Sequence, residues 1–175
     1  MKSVVGQAEA NVRNEEFSKD ETQNQMLAME EDIVAGLLEA AAGSGEEEKE
    51  IEIARNGKVL FRFTVRPLED GEYEKCKNRC TKYVRNKQLG MKMPEQTDNV
   101  KYRSMIIYTA TVERDREKLW DNKKVWQALS AAGKPVVTGT DVIDAVLFAG
   151  EKSRVIDIID QISGYDSNLE EVVKN

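Results

Sequence analysis

Histidine is absent from this 175-residue chain, and several chemistries go with it. No Ser-His-Asp triad, Cys-His pair or His-ligated zinc site can be assembled, and the commonest general base near neutral pH is missing. Cysteine is scarce, at Cys76 and Cys80 only. One helical turn apart, their side chains diverge from disulfide geometry, which predicts reduced thiols. Two thiolates without a second pair also leave a zinc site incomplete. No apolar run approaches the roughly 18 residues of a membrane span, and residues 1–17 lack the apolar stretch of a secretory signal. The expectation is a cytoplasmic protein with no membrane attachment. Phosphate-binding loops, dinucleotide-binding glycine fingerprints and calcium loops are missing too. The sequence therefore assigns no catalytic, cofactor-binding or metal-ligating residue and predicts that the protein is not an enzyme.

What is present is charge, unevenly spread. The formal charge is −6, yet residues 1–49 hold 4 basic and 12 acidic residues whereas residues 50–175 hold 22 and 20. Residues 1–25 are polar and lack a sustained apolar period, so they cannot repay the entropy of ordering and are predicted to be a disordered tail. Residues 26–42 carry Met26, Met29, Ile33/Val34, Leu37/Leu38 and Ala41 at steps of three and four. That stripe predicts an amphipathic helix stopped at Gly43. Residues 43–50, Gly-Ser-Gly followed by acidic residues, read as a flexible acidic linker.

From residue 51 the pattern changes to period two. Ile51, Ile53, Val59, Phe61, Phe63 and Val65 alternate on either side of Asn56-Gly57, whose residues both tolerate positive φ, and predict a β-hairpin. Pro67 ends the ladder and Asp70 is the expected cap of a helix running into Val84. On that helix Tyr73, Cys76, Cys80 and Tyr83/Val84 form the core side, and Lys75, Arg79 and Lys82 line another. Residues 85–99, with Gly90 and Pro94, read as a loop with a cap at Asp98. Residues 100–113 fit helix and strand equally. Trp120, Val125, Trp126 and Leu129 indicate a short anchored helix. Two core helices should follow, one capped by Thr138 or Thr140 and ending at Gly150, the next burying Val155, Ile158/Ile159 and Ile162 before Gly164. The sum is one globular α+β domain over residues 51–166, a small antiparallel sheet packed on a mostly helical bundle, with residues 167–175 as a tail or short helix.

Between Lys75 and Lys92 stand seven lysines and arginines and no carboxylate. A solvated helix face is the plain reading of such a run. The pI of about 5.0 and the missing aromatic stacking platform argue against a nucleic-acid grip, and an acidic protein partner is the remaining use.

The order of these pieces carries a resemblance. The helix "IVAGLLEAAA", the hairpin, the "YEKCKNRCTK" helix and above all the closing Leu147-Phe148-Ala149-Gly150-Glu151 and Ile162-Ser163-Gly164-Tyr165 resemble the XkdN-like phage tail assembly chaperones, over about Ile33 to Tyr165. The resemblance implies a protein made in the cytoplasm of a bacterial host during phage or prophage tail morphogenesis. It would hold the tape measure protein soluble and recruit tail tube subunits, with a homo-oligomer as a possible state. Met26, Ile33, Leu37, Leu38, Lys75, Arg79 and Lys82 are the candidate partner-binding residues. A structural tail component, and a nucleic-acid-binding regulator using Lys75–Lys92, are the alternatives.

Overall fold

The computed structural model describes residues 28–42 and 47–165, which belong to separate compact units. Residues 28–42 form a helix, α1. The expected disordered tail, Met26, the Gly43 stop, most of the linker and residues 167–175 lie outside the described residues. In the second unit the elements run β1 (Lys49–Arg55), β2 (Lys58–Val65), α2 (Asp70–Arg79), β3 (Thr81–Arg85), β4 (Lys92–Thr97), α3 (Asn99–Ala110), α4 (Glu113–Asp115) continuing as a π-helical turn (Arg116–Trp120), α5 (Lys123–Ala131), α6 (Gly139–Val146) and α7 (Ala149–Ile162). The fold is α+β, as expected: among the described residues helices dominate, with two antiparallel two-stranded sheets, β1-β2 and β3-β4.

The first hairpin turns at Asn56 (φ 52°) and Gly57 (φ 75°), the two positive angles that a tight turn of this hand requires. Its ladder starts at Lys49, two residues before the expected boundary. Ile51 pairs with Phe63 and Ile53 with Phe61, but a bulge follows, and Ala54 pairs with Val59. The extra residue moves Val59 off the core face, so its place in the alternation fails while Ile51, Ile53, Phe63 and Val65 are buried as expected. The inner face meets Trp120 edge-on, with ring centroids 5.3 Å from Phe63 and 6.0 Å from Phe61. Fully burying a large apolar side chain is worth about 1.5–3 kcal/mol, and this aromatic group joins Ile106, Ile107, Ala110, Val142, Ile143, Leu147, Val155 and Ile159 in one core.

Residues 100–113, ambiguous by periodicity, are helical to Ala110; Asp98 caps α3 by accepting from the Lys101 N–H, as expected. The chain then extends at Thr111, which bridges Val65 of β2. Thr111 Oγ1 also accepts from the Trp120 indole N–H at 3.0 Å and donates to the Ile107 carbonyl at 2.7 Å. One residue thus satisfies the polar edge of the most buried tryptophan.

Several expected boundaries shift. Glu69, not Asp70, is the N-cap of α2, and Glu72 reaches back to the Glu69 N–H at 3.1 Å. The helix stops at Arg79, because Thr81, Tyr83 and Val84 suit a strand and find a partner in β4. Tyr83 and Val84 are consequently exposed rather than in the core, and Lys82 leaves the helix face shared by Lys75 and Arg79. The expected loop of residues 85–99 is half strand. Pro94, which lacks a ladder donor, sits opposite Tyr83 next to the register shift of that sheet, the kind of position where proline is tolerated. Gly150 does not end a helix: α6 ends at Val146, and Gly150 lies in the first turn of α7. Thr138 caps α6, its N–H and that of Val137 both donating to Asp141 Oδ2.

Candidate functional site

Helix α1 is made of strong helix formers, Ala, Met, Leu and Glu, interrupted by Gly36. Met29, Ile33, Val34, Leu37 and Leu38 are each more than half exposed. Glu30, Glu31, Asp32 and Glu39 supply four carboxylates, and residues 28–42 contain no lysine or arginine. Isolated helices of this length are marginal in water, so the exposed stripe is a surface that gains from a partner. Three of the four apolar candidates, Ile33, Leu37 and Leu38, lie on it; Met26 falls outside the described residues.

The basic candidates do not share one face. Lys75 and Arg79 are exposed on α2 and border a groove of about 130 Å³ with Glu72, Cys76 and Thr109. Lys82 stands on β3 and pairs with Glu95 at 3.0 Å, both ends largely in solvent, where such a pair contributes little. The structure instead gathers residues that periodicity missed. Along the β3-β4 hairpin, Arg85 faces Lys92 and Val84 faces Met93, while Leu89 and Met91 are exposed near its turn. Asn86 builds that turn, its Oδ1 accepting from the Gln88 and Leu89 N–H groups at 2.9 and 3.2 Å. Two like charges directly opposite each other destabilise a ladder, and among the described residues no carboxylate lies within ion-pair distance of Arg85, Lys87 or Lys92. The alternation in "TKYVR" was the only sequence signal, and it is too short to separate from a helix end.

A second surface lies between β1 and α7, a groove of about 220 Å³ with Ile51, Ile53, Val155 and Ile158 at its base and Glu50, Glu52 and Arg154 on its rim. Thr64 turns its N–H to Asp115 (2.8 Å) and its carbonyl to the Val112 N–H (3.0 Å), away from β1. Glu50 is its cross-strand partner, so Glu50 and, two residues on, Glu52 direct their backbone groups to the open edge of β1. The groove ends at Glu151, whose carboxylate takes the Phe148 N–H at 2.7 Å and the Arg55 guanidinium. Arg55, then burial opposing it, then the Phe148 N–H set the balance, and the Glu151 carboxyl is held below its usual range.

The buried polar groups do structural work. Lys152, which is buried, donates to Asp144 and to Ser104 Oγ, and Ser104 Oγ also donates to Asp144. Ser104 is wholly buried, so this serine-lysine pair meets no substrate and ties α3, α6 and α7 together. Cys76 and Cys80 are free thiols and both buried; burial raises the Cys80 pKa, which makes it a poor nucleophile. Tyr73, pushed well above its usual range by burial and by its bond to Asp160, is a neutral donor. Among the described residues no three Cys, Asp or Glu side chains are grouped to hold a metal ion, and no helix is long and apolar enough to cross a membrane.

No curated protein and no solved structure matches the chain. The family described as phage XkdN-like tail assembly chaperone protein matches residues 34–175. That span is most of the chain, and the protein belongs to this family.

Proposed function

We propose that this member of the XkdN-like tail assembly chaperones acts by binding and not by catalysis, holding the phage tape measure protein in soluble form in the cytoplasm of the bacterial host and passing it to tail tube subunits. The observation that carries the reading is the stripe Met29, Ile33, Val34, Leu37 and Leu38, exposed on a helix that belongs to a unit of its own. A tape measure is a long helical client, and a helix-in-groove or helix-on-helix contact is the way an amphipathic helix recognises one. Methionine at the start of the stripe suits a surface that repacks against more than one sequence. Residues 47–165 then serve as the folded body that keeps the complex in solution.

The test is co-expression of the full chain with a tape measure fragment, scored by how much fragment stays soluble and co-purifies. Substitution of Ile33, Leu37 and Leu38 by Glu should abolish co-purification while leaving the far-ultraviolet circular dichroism and thermal midpoint of the body unchanged. Undiminished binding by that triple variant would move the client site to the groove beside β1 or to the basic surface of Lys75 and Arg79. Failure of the unaltered chain to retain any tape measure fragment would overturn the reading itself.

A further inference from the structure

We propose that the β3-β4 hairpin is a docking arm for helix α1 of a second copy of this chain. The arm and the helix are complementary in two independent respects. Residues 81–97 contain Lys82, Arg85, Lys87 and Lys92 against the single acid Glu95, a net +3, whereas residues 28–42 contain four acids and no base, a net −4. Both also expose apolar side chains that a soluble protein has reason to cover: Val84, Leu89, Met91 and Met93 on the arm, Ile33, Val34, Leu37 and Leu38 on the helix. Their lengths agree. Fifteen helical residues at about 1.5 Å each span roughly 22 Å, and five residues of β3 at about 3.3 Å each, with the turn beyond them, reach a similar distance.

Charge decides which self-contacts are allowed. Two arms facing each other bring together Arg85, Lys87 and Lys92 from both copies, and two α1 helices bring together Glu30, Glu31, Asp32 and Glu39 from both. Either symmetric arrangement is repulsive. Helix on arm is attractive, and it relieves the opposition of Arg85 and Lys92 by placing carboxylates beside them. The contact joins unlike surfaces: each copy's helix takes another copy's arm, either reciprocally in a closed pair or in succession until a ring closes or a filament grows. A nucleic acid would neutralise the arm's cations but leave Val84, Leu89, Met91 and Met93 uncovered, so protein is the better occupant. The inference stands on the arm and does not require the client to be a tape measure.

The experiment is a charge exchange followed by sedimentation velocity on the full chain over a hundred-fold concentration range. The unaltered protein should associate with concentration, and less so as salt rises, because the contact is partly ionic. The arm variant Arg85→Glu/Lys92→Glu and the helix variant Glu31→Lys/Asp32→Lys should each associate at least ten-fold more weakly. An equimolar mixture of the two should recover assembly, since the arm variant's native helix meets the helix variant's native arm and the new lysines on α1 face the new carboxylates on the arm. All four positions are exposed, so folding is checked by an unchanged thermal midpoint; if the arm variant fails that check, Arg85→Ser/Lys92→Ser replaces it and should still weaken assembly. A chain that stays monomeric at every concentration, including one whose helix covers its own arm, overturns the proposal. So does assembly indifferent to the arm variant, a mixture that does not recover, or retention of generic duplex DNA by the arm without self-assembly. Tape measure retention is measured separately; because both contacts draw on the α1 stripe, a bound fragment should weaken self-assembly, and loss of one property without the other tells the two readings apart.

Discussion

Arg55 and Glu151, 96 positions apart in sequence, meet as a two-pronged ion pair: the guanidinium Nε lies 2.8 Å from one carboxylate oxygen and Nη2 lies 2.6 Å from the other. The same Nη2 donates to the Val146 carbonyl at 2.6 Å, and the guanidinium stacks over the Phe148 ring at 3.8 Å. The end of β1 is thereby fastened to the corner where α6 gives way to α7. Lysine cannot supply two parallel donors or a planar stack. Arg55→Lys should therefore lower the denaturant midpoint almost as far as Arg55→Ala does. A lysine variant with the midpoint of the unaltered protein would show that charge alone is enough.

Acid sensitivity follows from the same corner. Arg55 first, with the Phe148 N–H, holds Glu151 below its ordinary value of 4.5; Arg66 first, with the Glu69 N–H, does so for Glu72. Burial works against Asp141, but the Val137 and Thr138 N–H groups outweigh it and keep that carboxyl below 3.8. A carboxyl depressed in the folded state stabilises above its unfolded pKa, and the stabilisation is lost as pH falls through the folded pKa. The thermal midpoint should hold level above about pH 5 and fall steadily toward acid, where folded and unfolded proton uptake differ. Glu151→Gln should show a shallower acid limb; an identical slope would remove Glu151 from the explanation.

Gly139 is small because two neighbours leave no room. A Cβ there would stand 2.6 Å from Tyr108 Cε2 and 2.7 Å from Asp121 Oδ1, and those two side chains are bonded to each other at 2.8 Å. Gly139→Ala should cost about 1–3 kcal/mol, the range for overpacking a filled site. Equilibrium urea unfolding measures it, and a neutral result would mean that Tyr108 swings aside freely.

The buried ammonium of Lys152 should be costly to remove and less costly to replace together with its partner. Lys152→Ala should destabilise by about 3 kcal/mol or more, because Asp144 and Ser104 lose their shared donor. Lys152→Met combined with Asp144→Leu should recover much of that loss. If the double variant is as unstable as the single one, packing rather than charge pairing governs the site.

The sequence by itself determined the elements whose patterns are local. Asn56-Gly57 with alternating apolar residues has one good solution, a tight hairpin, and the three- and four-residue steps through Val155, Ile158/Ile159 and Ile162 have another. The closing motif that signalled the family is legible for a structural reason, since Glu151 both starts α7 and receives Arg55. What the sequence left open depended on partners distant in the chain. Residues 100–113 had no preference until α3 found α2, α6 and α7 to pack on and Thr111 found Val65. Lys82 shares a face with Lys75 and Arg79 only on a helix that continues past Arg79, and the pairing of β3 with β4 ends that helix. The same pairing set Arg85 opposite Lys92 and opened Val84 and Met93 to solvent. A five-residue strand carries too few periods to announce itself, and only the ladder it enters decides which way its side chains face.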